Sequence, residues 1–198
     1  MLTISNIAKI IKNKGGHTKI QNNTTCSYLF DVSVKEHLDL YYGLKERTGY
    51  DLKNRDILVS EISGILRNHI TLSGYDYVIY PESSSGFLEE ILSLCKIRKY
   101  KITKNTKEDI VAKIDILKLQ KKEKESHLKH IAEMDDTFKI RMLKINQRKK
   151  YHAYLFRNEL LDLKGKGFIL DDSCFSGTTF DALQLLYGKH DLFAIFAK

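Results

Sequence analysis

Apolar and polar positions alternate along this chain in two rhythms, one helical and one extended. Val34 to Leu44 and Asn54 to Ile70 carry apolar residues at helical spacing, and Ile57, Leu58, Ile62, Ile65 and Leu66 form one stripe. Asn54 or Asp56 is placed to cap the second of these helices. Ser27 to Ser33 (SYLFDVS) reads as a strand. Tyr77 to Tyr80 is a short β-type run, ended abruptly by PESSSG and followed by the amphipathic series Phe87, Leu88, Ile91, Leu92 and Leu94. That order predicts strand, tight loop, helix. Arg98 to Thr103 (RKYKIT) predicts another strand.

Between Lys107 and Lys150 the rhythm is helical and heavily charged. Ile110, Ile114 and Leu117 recur at i, i+4 and i+7, followed by Leu128, Ile131 and Met134, then Phe138, Met142 and Ile145. No Gly or Pro interrupts this span, which predicts long helices arranged as a helical hairpin. Tyr151 to Phe156 predicts a return to strand. Gly167 to Leu170 predicts an apolar strand, Gly177 to Tyr187 a helix and Leu192 to Ala197 a last strand.

Strands that alternate with helices, and that are apolar throughout, predict an α/β fold with a mostly parallel twisted sheet flanked by helices. In such sheets ligands bind beyond the carboxyl ends of the strands. Two strand-to-helix loops are therefore candidates: PESSSG after Tyr80 and DDSCFSGTT after Leu170.

Composition narrows the class. At 198 residues the chain fits one domain, 1–198, with an elaboration. No run of about 18 apolar residues predicts a membrane span, and MLTISNIAKIIKNKGG lacks the apolar core of a secretory signal. Cys26, Cys95 and Cys174 are odd in number and contain no CxxC, which predicts reduced thiols and a cytoplasmic setting. The net charge of +8 is concentrated centrally: Lys96 to Lys150 holds 18 Lys and Arg against 8 Asp and Glu. Such a segment is either a solvated helix surface or a binder of an anionic partner such as nucleic acid. His127 and His130 lack clustered carboxylate or cysteine partners and read as surface histidines, not a zinc pair.

The second loop has a specific chemistry. Exposed backbone N–H groups and the helix dipole at a helix start attract anions without any lysine. Gly177 permits close backbone approach, and Ser176, Thr178 and Thr179 add hydroxyl donors. Asp171 and Asp172 just before them accept only, which suits vicinal sugar hydroxyls or a water-mediated Mg²⁺. Neither GxxxxGK[ST] nor GxGxxG occurs here, so a Walker A loop and a dinucleotide fingerprint are excluded.

GFILDDSCFSGTTF resembles the signature of type I phosphoribosyltransferases: an apolar strand, two adjacent acids, a short loop, then Ser or Thr, Gly, any residue and Thr. The DDS…GTT form is most similar to the version in amidophosphoribosyltransferases. The resemblance covers Tyr75 to Lys198, with 104–150 as a basic helical insertion and 1–75 as an N-terminal helical hood. It implies that the loop binds 5-phosphoribosyl-1-pyrophosphate (PRPP). Asp171 and Asp172 would meet the ribose hydroxyls and serve as the catalytic acids and the metal contacts. Phe175, Ser176, Gly177, Thr178 and Thr179 would wrap the 5′-phosphate, and Ser173 and Cys174 belong to the same phosphate and ribose site.

The resemblance further implies that Glu82, Ser83, Ser84, Ser85 and Gly86 hold the pyrophosphate, joined by Arg148, Lys149 and Lys150, with Lys144 nearby. The serines also read as an ordinary turn with Ser85 as helix cap. Tyr28, Phe30, Tyr41, Tyr42 and Lys45 are candidates for covering an acceptor, although core packing explains the aromatics equally well. Some family members carry an acid where this chain has Phe175, and Phe175 cannot transfer a proton. The implied partners are PRPP, Mg²⁺, a small acceptor base and a second copy of the chain. The implied activity is ribophosphorylation of a nitrogenous base with release of pyrophosphate. The alternative is a PRPP-binding or nucleotide-binding regulator without turnover, whose basic segment meets nucleic acid or a protein.

Overall fold

A computed structural model of the chain describes residues 17–21, 24–45, 55–83, 85–134, 143 and 145–198. Six strands form one sheet: β1 (His17–Gln21), β2 (Thr24–Asp31), β3 (Tyr77–Pro81), β4 (Arg98–Ile102), β5 (Gly167–Cys174) and β6 (Asp191–Ala197). Their order across the sheet is β1-β2-β6-β5-β3-β4. β2, β6, β5 and β3 run parallel, with Cys26 beside Leu192, Leu192 beside Ile169 and Ile79 beside Ile169. β1 is an antiparallel edge on β2, in register from His17 opposite Tyr28. The expected α/β class, a mostly parallel sheet flanked by helices, is what the chain forms. The β1 hairpin was not among the expected elements.

The helices are α1 (Lys35–Leu44), α2 (Arg55–Ser73), α3 (Phe87–Ser93), α4 (Lys107–Lys113), α5 (Lys121–Ala132), α6 (Ile145–Arg148) and α7 (Thr178–Tyr187). Short 3₁₀ helices cover Ile114–Leu117 and Lys149–Tyr154. Asn54 and Lys144 lie outside the described residues, as do Phe138 and Met142. Asp56 sits in the first turn of α2, where a carboxylate favours the dipole.

The chain divides into two compact units. The first comprises the described parts of 1–101, with 161–177 and 190–198, and contains the sheet. Its core joins Leu40, Tyr41 and Leu44 of α1, Leu58, Ile62, Leu66 and Ile70 of α2 and Phe87, Leu88, Ile91 and Leu92 of α3. These pack with Val78, Tyr80, Phe168, Leu170, Phe193 and Ile195 of the sheet. Ile79, Ile169 and Ala194, on the opposite face, are also buried. Burial on both faces explains why these strands lack polar alternation. Ser63 is the polar exception in α2: its hydroxyl shares its one proton between the carbonyls of Val59 and Ile91, at 2.7 and 3.0 Å, tying α2 to α3.

The second unit comprises 102–160 and 178–189. Here the expected long helices are broken. α4 gives way to a 3₁₀ turn that ends at Lys118, whose φ of 49° is left-handed. Helix propensity is weak and local, and burial of Ile110, Ile114 and Ile131 decides where the chain turns. α4 has a reciprocal cap: Asp109 N–H donates to Thr106 Oγ1 at 3.2 Å and Thr106 N–H donates to Asp109 at 3.0 Å. Tyr151 to Phe156 is not a strand. It is mostly 3₁₀ helix, and only Phe156 bridges to Lys104. His127 is not a surface residue: it is fully buried, 2.5 Å from the hydroxyl of Tyr151.

Candidate functional site

The topology singles out one edge of the sheet. From β3 the chain moves outward to β4, and from β5 it moves the other way to β6, although β3 and β5 are parallel neighbours. The crevice beyond the carboxyl ends of β3 and β5 is therefore a topological switch point, where open α/β sheets place their ligands. Both candidate loops, 82–86 and 175–177, leave strands at this edge.

The register also corrects where the acids sit. The strand expected to stop at Leu170 runs on through Asp171 and Asp172 to Cys174. Alternation within a strand sends neighbours to opposite faces. Asp172 therefore shares the face of Phe168 and Leu170, the face covered by α1, and Asp171 points to the other. Both are withdrawn from water, with 7% and 9% of their surface exposed. Asp171 turns back on its own backbone, accepting the N–H of Asp172 at 2.8 Å. Asp172 accepts the hydroxyl of Ser173 at 2.9 Å on one oxygen and the ammonium of Lys45 on the other.

Lys45 is delivered by local chemistry at the end of β2. Asp31 accepts both the N–H and the hydroxyl of Ser33, at 2.9 and 2.6 Å, a side-chain turn that starts α1 immediately. Tyr41 and Lys45, four residues apart, face the same way. Tyr41 packs edge-on against Phe175 at 5.4 Å and against Phe196 at 5.3 Å, and Phe196 stacks on Phe30 at 5.2 Å. Such ring pairs each add about 1 kcal/mol beyond their burial. The aromatic series crosses the carboxyl ends of β2, β6 and β5 and holds the ring of Phe175, which remains 41% exposed. Phe30 and Tyr41 belong to the core; Tyr28 and Tyr42 are half-buried.

Beyond Phe175 the loop passes through Ser176 and Gly177, whose φ of 71° is left-handed. The chain then enters α7, which begins with the buried Thr178 and the half-buried Thr179. Cys174 is buried and outside any disulfide, as are Cys26 and Cys95.

At β3, Ser83 and Ser85 share a hydroxyl–hydroxyl hydrogen bond of 3.0 Å, and Gly86 N–H donates to the Ser83 carbonyl at 3.2 Å. Gly86 itself sits at φ 64°. Ser85 does not cap α3; Gly86 occupies that position without a side chain to offer. Ser84 lies outside the described residues. Lys101, at the end of β4, reaches this loop: its ammonium lies 3.8 Å from Glu82 and 3.0 Å from Glu89. The Glu89 carboxylate beside it raises the pKa of Lys101. Sequence reasoning passed over Lys101, although RKYKI places Lys99 and Lys101 on one face of a strand that leads to this edge.

The other sequence-derived cations belong to the second unit. There Arg148 donates to the Leu143 carbonyl at 3.0 Å, Lys150 pairs with Glu123 and Lys149 is exposed. Among the described residues no group of three or more His, Cys, Asp or Glu is arranged to hold a metal ion. Among them, too, no helix is long and apolar enough to cross a membrane.

No family model matches the chain, and no curated protein matches it in sequence.

Proposed function

We propose that this chain is a Mg²⁺-dependent phosphoribosyltransferase of the type I kind. The observation that carries the reading is the adjacency of β3 and β5 as parallel neighbours at the switch point. It sets an acid-bearing strand end and a serine-glycine loop on one edge, as an activated pentose with a phosphate at each end requires.

In this reading Asp172 accepts a ribose hydroxyl, while Asp171 fixes the backbone from which Asp172 projects. The turn through Ser176 and Gly177 binds the 5′-phosphate through its backbone N–H groups and the Ser176 hydroxyl. The turn from Ser83 to Gly86 holds the pyrophosphate, and Lys101 beside it balances charge that develops as the C1–oxygen bond breaks. Carboxylate oxygens are hard donors that suit Mg²⁺; Asp171 and Asp172 face opposite sides of β5, so they would meet it only through water, with the substrate's pyrophosphate oxygens holding it directly. When bound, Mg²⁺ would stabilise the departing pyrophosphate.

The acceptor would be a nitrogen nucleophile that attacks C1 as pyrophosphate leaves through an oxocarbenium-like transition state. The fixed, half-exposed ring of Phe175 offers a face to a planar base. No acid stands at that position, so the acceptor must arrive nucleophilic or lose its proton elsewhere. The basic segment from 104 to 150 takes the place of the family's mobile loop, and the proposed assembly is a homodimer. Incubation with PRPP, Mg²⁺ and a panel of nitrogenous bases, scored by pyrophosphate release, tests the activity. PRPP binding without pyrophosphate release from any base would leave the regulatory reading in its place.

A further inference from the structure

A largely buried charged contact joins the end of α1 to β5. Lys45 and Asp172 stand 127 residues apart in the chain, yet their side chains meet with only 16% and 13% of their surface exposed. Withdrawing two charges from water is costly, and a lysine also loses much rotamer freedom when it is held. The contact does more than fasten α1, which Leu40, Tyr41 and Leu44 already bury in the core. Its effect on Asp172 is specific. One oxygen is fixed by Ser173 and the other by Lys45. A carboxylate has about four acceptor positions, so each oxygen keeps capacity for another donor, in a fixed direction.

We infer that Lys45 is the positioning residue of sugar recognition. It acts through Asp172, aiming the carboxylate and supplying its counter-charge, so that ribose hydroxyls are accepted there without a metal ion. The inference rests on the phosphoribosyl reading and assigns a division of labour within it. Lys45 and Asp172 read the sugar, and Mg²⁺ serves the pyrophosphate half of the substrate.

Ribose 5-phosphate, which has the hydroxyls and the 5′-phosphate but no pyrophosphate, separates the two halves. Calorimetry on the full chain should give the same affinity for it in Mg²⁺ and in EDTA, and weaker binding of 2-deoxyribose 5-phosphate. Lys45→Met should weaken ribose 5-phosphate about tenfold or more and shrink the ribose-to-deoxyribose ratio, with inorganic phosphate binding unchanged. Lys45→Arg should restore most of the ratio. An unchanged ratio in Lys45→Met, or an equal loss for inorganic phosphate, would show a mere clamp and overturn the inference. If Lys45→Met does not fold, the wild type still decides: a Mg²⁺ requirement for ribose 5-phosphate overturns it. Wild-type protein that binds PRPP yet fails these comparisons sinks the inference alone. Wild-type protein that binds neither ligand sinks the phosphoribosyl reading and the inference with it.

Discussion

The ring of Tyr77 fills the space that a side chain at Gly167 would need. The two residues are partners across β3 and β5, and a β-carbon on Gly167 would fall inside the ring's van der Waals envelope. The ring cannot swing away freely, because its hydroxyl lies 2.8 Å from His190 Nε2 and the residue is buried. Gly167→Ala should therefore destabilise the protein by roughly 1–3 kcal/mol, the usual cost of overpacking. Urea denaturation checks this, and a change below about 0.5 kcal/mol would refute the steric account.

The acid pair gives the sharpest functional test. Asp171→Asn with Asp172→Asn should lower PRPP affinity at least about tenfold, the charge-assisted hydrogen bond from the sugar to Asp172 being lost. Calorimetry showing unchanged affinity would reject the assignment of the sugar site.

Asp172→Asn alone should also cost stability, because it strands the Lys45 ammonium in a largely buried position. The expected loss is about 2–3 kcal/mol, below that for a fully buried pair because some water reaches both groups. Adding Lys45→Met should recover part of it, with a coupling of about 1–3 kcal/mol in a double-mutant cycle. Additive effects would mean that the two side chains do not interact in solution.

Acid should weaken the fold through its buried histidines. Burial lowers the pKa of His127 below its ordinary 6.5; Glu123 opposes the shift, and Lys150 and His130 add to it. The facing Tyr151 is pushed up to about 12 by burial and then by Glu123, so it stays neutral across this range. His69 and His152 are lowered by burial too. Below pH 6.5 the unfolded chain takes up protons that the folded chain refuses, so stability is full above that value. It falls as pH drops from 6.5 toward the folded pKa values, and levels off beneath them. His127→Gln should flatten that slope in urea melts at pH 5 and 7, and an unaltered slope would assign the acid sensitivity elsewhere.

Most of the sheet was legible because its strands declare themselves by composition. Runs such as YVIY and GFIL are bounded by glycine, proline and serine, and the structure changes only their ends. What could not be read was anything set by partners distant in sequence. Asp171 and Asp172 look like loop residues, yet pairing with β6 carries β5 through them. That difference sends the two carboxylates to opposite faces. Tyr151 to Phe156 carries β-type residues because the aromatics are buried, and burial alone does not specify an extended backbone. The long-helix reading of the basic segment failed for the converse reason: nothing local stops those helices, and Lys118 turns without a glycine. Lys45 was visible as one candidate among several, but its partner was not, since no local pattern links residue 45 to residue 172.

The second unit is stitched from two separate stretches of chain, 102–160 and 178–189. Phe180 and Leu183 of α7 are among its buried residues, with Tyr151, Leu155 and Phe156. The basic segment is thus not a removable appendage. Excising 104–150 would remove His127, the partner of Tyr151, and so disturb the 3₁₀ segment that packs on the helix into which the glycine turn feeds; the truncated protein would report on a damaged fold rather than on lost cations. Charge reversal at exposed lysines, leaving the apolar scaffold whole, is the cleaner surgery.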